Sequence, residues 1–73
     1  MSRNPIDLAR DRKQILDLLR DGPLSKRDVL DRVTLSRSTV DRAIDELLST
    51  ELIETTDGGY ETTPAGVIAL RSA

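Results

Sequence analysis

Along the first third of the chain, Leu8, Ile15, Leu16, Leu18 and Leu19 recur mostly at helical spacing, with Arg10, Asp11, Arg12, Lys13 and Asp17 largely filling the other face. That alternation predicts an amphipathic helix. Asn4-Pro5 starts it, because Asn caps free backbone donors and Pro is tolerated at the first helical position. Gly22-Pro23 stops it: Gly accepts the left-handed closing conformation and Pro cannot continue a helix. Ser25-Lys26-Arg27-Asp28 reads as a capping box opening a short second helix, whose buried stripe is Val29, Leu30 and Val33. Thr34-Leu35 breaks it, and Ser36 caps a third helix with Val40, Ala43, Ile44, Leu47 and Leu48 turned inward.

The period then changes. Leu52 to Thr56 is β-prone, Asp57-Gly58-Gly59 signals a turn, and Tyr60-Glu61-Thr62 is a second β-prone run, so a hairpin is expected. Thr63-Pro64 caps a last short helix, Ala65 to Leu70. The order is helix, helix, helix, hairpin, helix, an α+β chain that is mostly α. With 73 residues, one domain spanning 1–73 is the expectation.

Composition narrows the chemistry. There is no cysteine and no histidine, which removes disulfides, thiolate zinc sites and His-based acid–base or metal centres. The carboxylates lie on exposed helix faces without metal-ligand spacing, and Gly58-Gly59 sits in a hairpin rather than between a strand and a helix, where a phosphate loop belongs. No enzyme activity and no cofactor are expected. No apolar run approaches the roughly 20 residues of a membrane span, and the N-terminus lacks a signal-peptide core, so a cytoplasmic protein without a membrane partner is expected.

The net charge is −2, but its distribution is uneven. Residues 1–50 are nearly balanced, whereas residues 51–73 carry Arg71 against Glu51, Glu54, Asp57 and Glu61. Arg outnumbers Lys nine to two and Asp outnumbers Glu nine to four. That bias reads as a salt-adapted proteome, with chance in a short chain as the alternative.

The segment ILDLLRDGPLSKRDVLDRVTLSRSTVDRAIDELLSTELIETTDGGYETTPAG carries a helix ending in a "DGPLS" turn, a helix pair, "LIE" and a glycine-tipped hairpin in order. Over about residues 12–70 it resembles a winged helix-turn-helix domain of the MarR/ArsR-like type. Similar haloarchaeal chains carry this module at the N-terminus of a longer regulator. The resemblance implies three helices, a β-hairpin wing and a short C-terminal helix. It also implies transcription regulation through double-stranded DNA, with the third helix (about 37–48) in the major groove. Two positions depart from the pattern: the turn of the helix pair holds Thr34 where older helix-turn-helix proteins favour Gly, and the wing tip holds Asp57 where many relatives carry Arg or Lys.

With Val40 at zero on a wheel of about 100° per residue, the other apolar side chains of the third helix cluster within roughly 80° of it. Ser38 and Arg42 fall nearly opposite, with Thr39 and Asp45 flanking. Within the resembled fold, Ser38, Thr39 and Arg42 are the expected base readers, since Arg can bond bidentately to guanine and small hydroxyls contact bases without steric cost. Ser25, Lys26, Arg27 and Arg37 are the expected phosphate contacts. Asp57, Gly58, Gly59 and Tyr60 form the wing, whose aspartate is expected to be repelled by phosphates. Blander readings stand beside these: Ser25 and Ser36 as plain caps, Arg42 paired with Asp45 or Glu46, and Arg10, Arg12 and Lys13 solvated.

The competing function is a winged helix used as a protein–protein interaction module without sequence-specific DNA binding, which the acidic wing and the absence of a basic patch favour. A structured-RNA binder is a lesser alternative. Finally, Val67, Ile68, Ala69 and Leu70 follow one another in a two-turn helix that can turn only some of them inward. Val67, Ile68 and Leu70, joined by Ile6 and Leu8, are therefore expected to meet a second copy or a C-terminal effector domain.

Overall fold

The computed structural model describes residues 4–73. In chain order it holds α1 (Pro5–Asp11), α2 (Lys13–Arg20), α3 (Lys26–Arg32), α4 (Arg37–Ser49), β1 (Ile53–Thr56), β2 (Gly59–Thr62) and α5 (Pro64–Ser72). Among the described residues the fold is α+β and mostly helical, five helices and one two-stranded antiparallel hairpin. Each expected cap is in place. Asn4 Oδ1 accepts the Asp7 N–H at 2.8 Å, Ser25 Oγ that of Asp28 at 3.1 Å, Ser36 Oγ that of Thr39 at 3.2 Å and Thr63 Oγ1 that of Gly66 at 3.1 Å. Each satisfies a backbone donor that has no partner inside its helix.

The single first helix expected from the apolar spacing is in fact two. At about 100° per residue, Arg12 falls between Leu8 and Leu16 on the inward stripe. The chain leaves helical geometry there (φ −111°, ψ 24°) and resumes as α2. Arg12 does not fill the polar face: its side chain is only 17% exposed, and its Nη2 donates to Glu46 Oε1 at 3.0 Å, tying the α1–α2 junction to α4.

One core joins all the helices to the hairpin, with Leu8, Ile15, Leu16, Leu19, Val29, Val40, Ile44, Leu47, Leu52 and Ile53 among its most buried side chains. Burying aliphatic side chains of this size is the main favourable term, about 1.5–3 kcal/mol each. Leu48, expected inside, is half-buried against this cluster.

In the hairpin Ile53 lies opposite Thr62, Glu54 opposite Glu61, Thr55 opposite Tyr60 and Thr56 opposite Gly59, with Asp57-Gly58 as the two-residue turn. Leu24 joins it as an isolated bridge: its N–H donates to Tyr60 O at 3.0 Å, and the Tyr60 N–H donates to Leu24 O at 2.8 Å. That bridge explains Gly59, whose φ is +127° and whose place would put a Cβ 2.3 Å from Leu24 O. The buried Thr62 hydroxyl donates to Leu16 O at 2.8 Å, pinning β2 to α2.

The helix α5 packs on α1 and α2. It turns Gly66, Ala69 and Leu70 inward. Leu70, expected at an interface, is 9% exposed and part of the chain's own core, because it shares a stripe with Ala69 and Gly66 one turn earlier. Leu8, expected to join that interface, is 2% exposed for the same kind of reason. Val67 is half-buried, while Ile68 and Ile6 remain exposed. Among the described residues no helix is long and apolar enough to cross a membrane.

At the end of α4, Glu51 takes a left-handed φ of 61°. Its N–H donates to Leu48 O at 3.1 Å and the Leu52 N–H donates to Leu47 O at 3.0 Å, the paired closure of a Schellman motif. A non-glycine residue there costs about 1–2 kcal/mol, partly offset because glycine is freer when unfolded. Glu51→Gly is therefore expected to stabilise the fold by about 0.5–1 kcal/mol, read as a rise in thermal midpoint; a fall would mean that the Glu51 side chain holds a contact outweighing its backbone strain.

Candidate nucleic-acid interface

The helix pair α3–α4 presents the side chains singled out for nucleic-acid contact. Ser38 and Arg42, one turn apart on α4, are both exposed, and Asp45 and Ser49 continue the same outer face. Arg42 makes no ion pair among the described residues, so neither Asp45 nor Glu46 holds it. Glu46 is instead a partner of Arg12.

Thr39 is differently placed. It is half-buried, and its Oγ1 lies 2.8 Å from Ser36 Oγ, within a hydroxyl cluster that also brings Ser38 Oγ to 3.3 Å from the cap. Ser36 is thus a cap, and Thr39 shares in that cap rather than standing free beside Arg42.

Lys26, Arg27 and Leu30 of α3 and Arg37 of α4 line an open groove of about 460 Å³. Three cations meet there where the starts of two helices converge. Lys26 is already engaged: its Nζ lies 3.0 Å from Asp41 Oδ1, across the α3–α4 gap. The contact is a close ion pair rather than a directional hydrogen bond, since Asp41 Oδ1 has no partner aligned for one. Asp41 raises the Lys26 ammonium's pKa above its ordinary value. A raised lysine pKa contributes stability that is complete below the unfolded value and is lost only as pH rises through the folded one, so the pair is constant at neutral pH. Arg27 and Arg37 are exposed and unpaired among the described residues. Ser25 is spent as the α3 cap, and the Asp28 carboxylate stands in the first turn of that seven-residue helix.

The hairpin carries the opposite sign. Asp57 is exposed at its tip, and Glu54 and Glu61 are direct cross-strand partners, an arrangement that like charges make unfavourable. Gly58 sits over Pro23, where an added Cβ would lie 3.0 Å from the Pro23 Cβ. Tyr60 is half-buried against the core. The sequence reading missed Asp41, Leu24 and Pro23 as supports of this surface. Each acts through a partner distant along the chain, which leaves no local signature.

The family whose model matches residues 6–73 is described as the HVO_A0261 N-terminal domain. The chain belongs to that family. It is also similar to the uncharacterized protein MJ1503 of Methanocaldococcus jannaschii, 36% identical over 55 residues. The match covers 68% of this chain, which spans 42% of that relative's length. No solved structure matches the chain at a significant level.

Proposed function

We propose that this family member is a winged helix-turn-helix domain that binds double-stranded DNA sequence-specifically on behalf of a transcriptional regulator. In this reading α3–α4 is the helix pair, α4 enters the major groove, and β1–β2 is the wing. The observation that carries it is the outer face of α4: Ser38 and Arg42 stand exposed one turn apart, beside a groove whose cations include Arg27 and Arg37, both unpaired among the described residues. Arg42 then reads a base edge, Ser38 lets the helix backbone approach, and Arg27 and Arg37 hold phosphates. Lys26 reaches phosphate only in competition with Asp41.

Selecting tight binders from a random duplex pool tests the reading. A recovered consensus whose affinity falls steeply with added salt supports it. Weak binding that is indifferent to sequence and salt sinks it. That outcome favours a protein-interaction module, the second reading, which the facing Glu54 and Glu61 and the Asp57 tip support.

The acidic tip also makes a separate expectation. Asp57→Lys should raise non-specific duplex affinity and steepen its dependence on the logarithm of salt by roughly one unit, as one more phosphate is engaged. Filter binding across a salt series reads both quantities. Weaker binding in the variant would mean that the aspartate makes a favourable contact of its own.

A further inference from the structure

Of the three cations lining the α3–α4 groove, Lys26 alone meets a carboxylate among the described residues. Arg37 stands four residues before Asp41 on α4 and is the local candidate for that carboxylate, yet the two form no ion pair. A cation N-terminal to an anion at this spacing is the weaker order, because it sets positive charge at the positive end of the helix dipole. Asp41 instead reaches across to the first residue of α3, where Lys26 Nζ lies 3.0 Å from its Oδ1. That oxygen is buried and has no aligned hydrogen-bond donor, although the side chain as a whole is 43% exposed. The Lys26 charge compensates it, and withdrawing that charge would leave a buried anionic oxygen unpaired.

We propose that Asp41 restrains the affinity of this surface for a duplex by standing in for a phosphate: it occupies Lys26, so that Lys26 adds nothing to the phosphate contacts of Arg27 and Arg37. The inference rests on the DNA reading and deepens it by naming the residue that limits backbone contact. Lys26 has donors enough for two anions. A phosphate joining the pair would nevertheless stand beside the carboxylate, well inside the roughly 10 Å over which 0.1 M salt screens charge. Seating it means bearing that repulsion or breaking the pair. A cation that stays on Asp41 displaces no counterion from the duplex, so Asp41 flattens the salt dependence as well as lowering the affinity.

A double-mutant cycle of Lys26→Met and Asp41→Asn tests this, with affinity measured by fluorescence anisotropy across a salt series on the selected duplex and on an unrelated one. Asp41→Asn should strengthen binding to both about two- to fivefold at low salt, the range that an exposed ion pair spans, and steepen the salt slope by about 0.9. Lys26→Met alone should change affinity by less than about twofold, whereas in the Asp41→Asn background it should remove most of the gain. A general effect of net charge would be additive and would survive Lys26→Met. All variants should keep the wild-type far-ultraviolet spectrum, because both side chains are partly exposed. Sequence-specific binding in which the two substitutions act additively overturns the inference and leaves the DNA reading standing. So does a loss in Lys26→Met as large as that in Arg27→Ala. No duplex binding in the wild type or in Asp41→Asn overturns both.

Discussion

Gly66→Ala is expected to destabilise the fold by about 3 kcal/mol, the upper range of overpacking effects in a close-packed interior. Gly66 is buried in the first turn of α5, where an added Cβ would lie 2.2 Å from Leu52 O and 2.6 Å from Thr62 Cγ2. The carbonyl cannot retreat freely, because Leu52 O accepts the Thr63 N–H at 3.0 Å and the Leu52 N–H closes the end of α4. Thr62 is equally held, through its bond to Leu16 O. Accommodating one methyl group therefore means moving α5 away from the junction of α4 and β1. Alanine's better helix propensity, about 1 kcal/mol, offsets only part of that cost. In a domain of this size each kcal/mol moves the thermal midpoint by about 4–8 °C, so a fall of 12 °C or more is expected by calorimetry. The exposed neighbour serves as the control, and Ala65→Ser should move the midpoint by no more than a few degrees. A midpoint unchanged in Gly66→Ala would mean that α5 is not docked as closely as this geometry requires.

Arg42→Ala is expected to separate binding from folding. Under the proposed DNA reading, losing a bidentate base contact costs about 1–3 kcal/mol of specific affinity, or about 5- to 150-fold. The loss should be concentrated at the base pair that Arg42 reads, and non-specific affinity should change little. The thermal midpoint should hold, because Arg42 is exposed and makes no ion pair among the described residues. Arg27→Ala should contrast with it: a phosphate contact weakens all sequences alike and reduces the salt slope by about one unit. Competition titrations with the selected duplex and single-base variants measure both. Equal affinity of the wild type and Arg42→Ala for the selected duplex would remove the main base reader from the proposal.

Local chemistry was legible before any tertiary structure. Asn4, Ser25, Ser36 and Thr63 each cap a helix by accepting from a donor three residues ahead, so the signal and its partner occupy one turn of chain. The inward stripe of α4 follows from spacing alone, and Asp57-Gly58 suffices to place the hairpin turn. The candidate site was legible as residue types on a helical wheel: Ser38 and Arg42 share a face because any helix puts i and i+4 together.

Tertiary structure decided whatever depends on a distant partner. Arg12 lies largely buried at the break between the first two helices, and the Glu46 that receives it is 34 residues away. Lys26 looked like a free cation until α4 brought Asp41 to it. Thr62 is buried because a carbonyl 46 residues earlier accepts its hydroxyl, and Gly66 must be small because α5 crosses the Leu52 carbonyl. Among the apolar residues of α5, composition requires that some face outward, but which ones do so depends on how the helix is rotated against α1 and α2. That rotation buries Leu70 and leaves Ile68 out, because the close approach at Gly66 sets which side of α5 can meet the core.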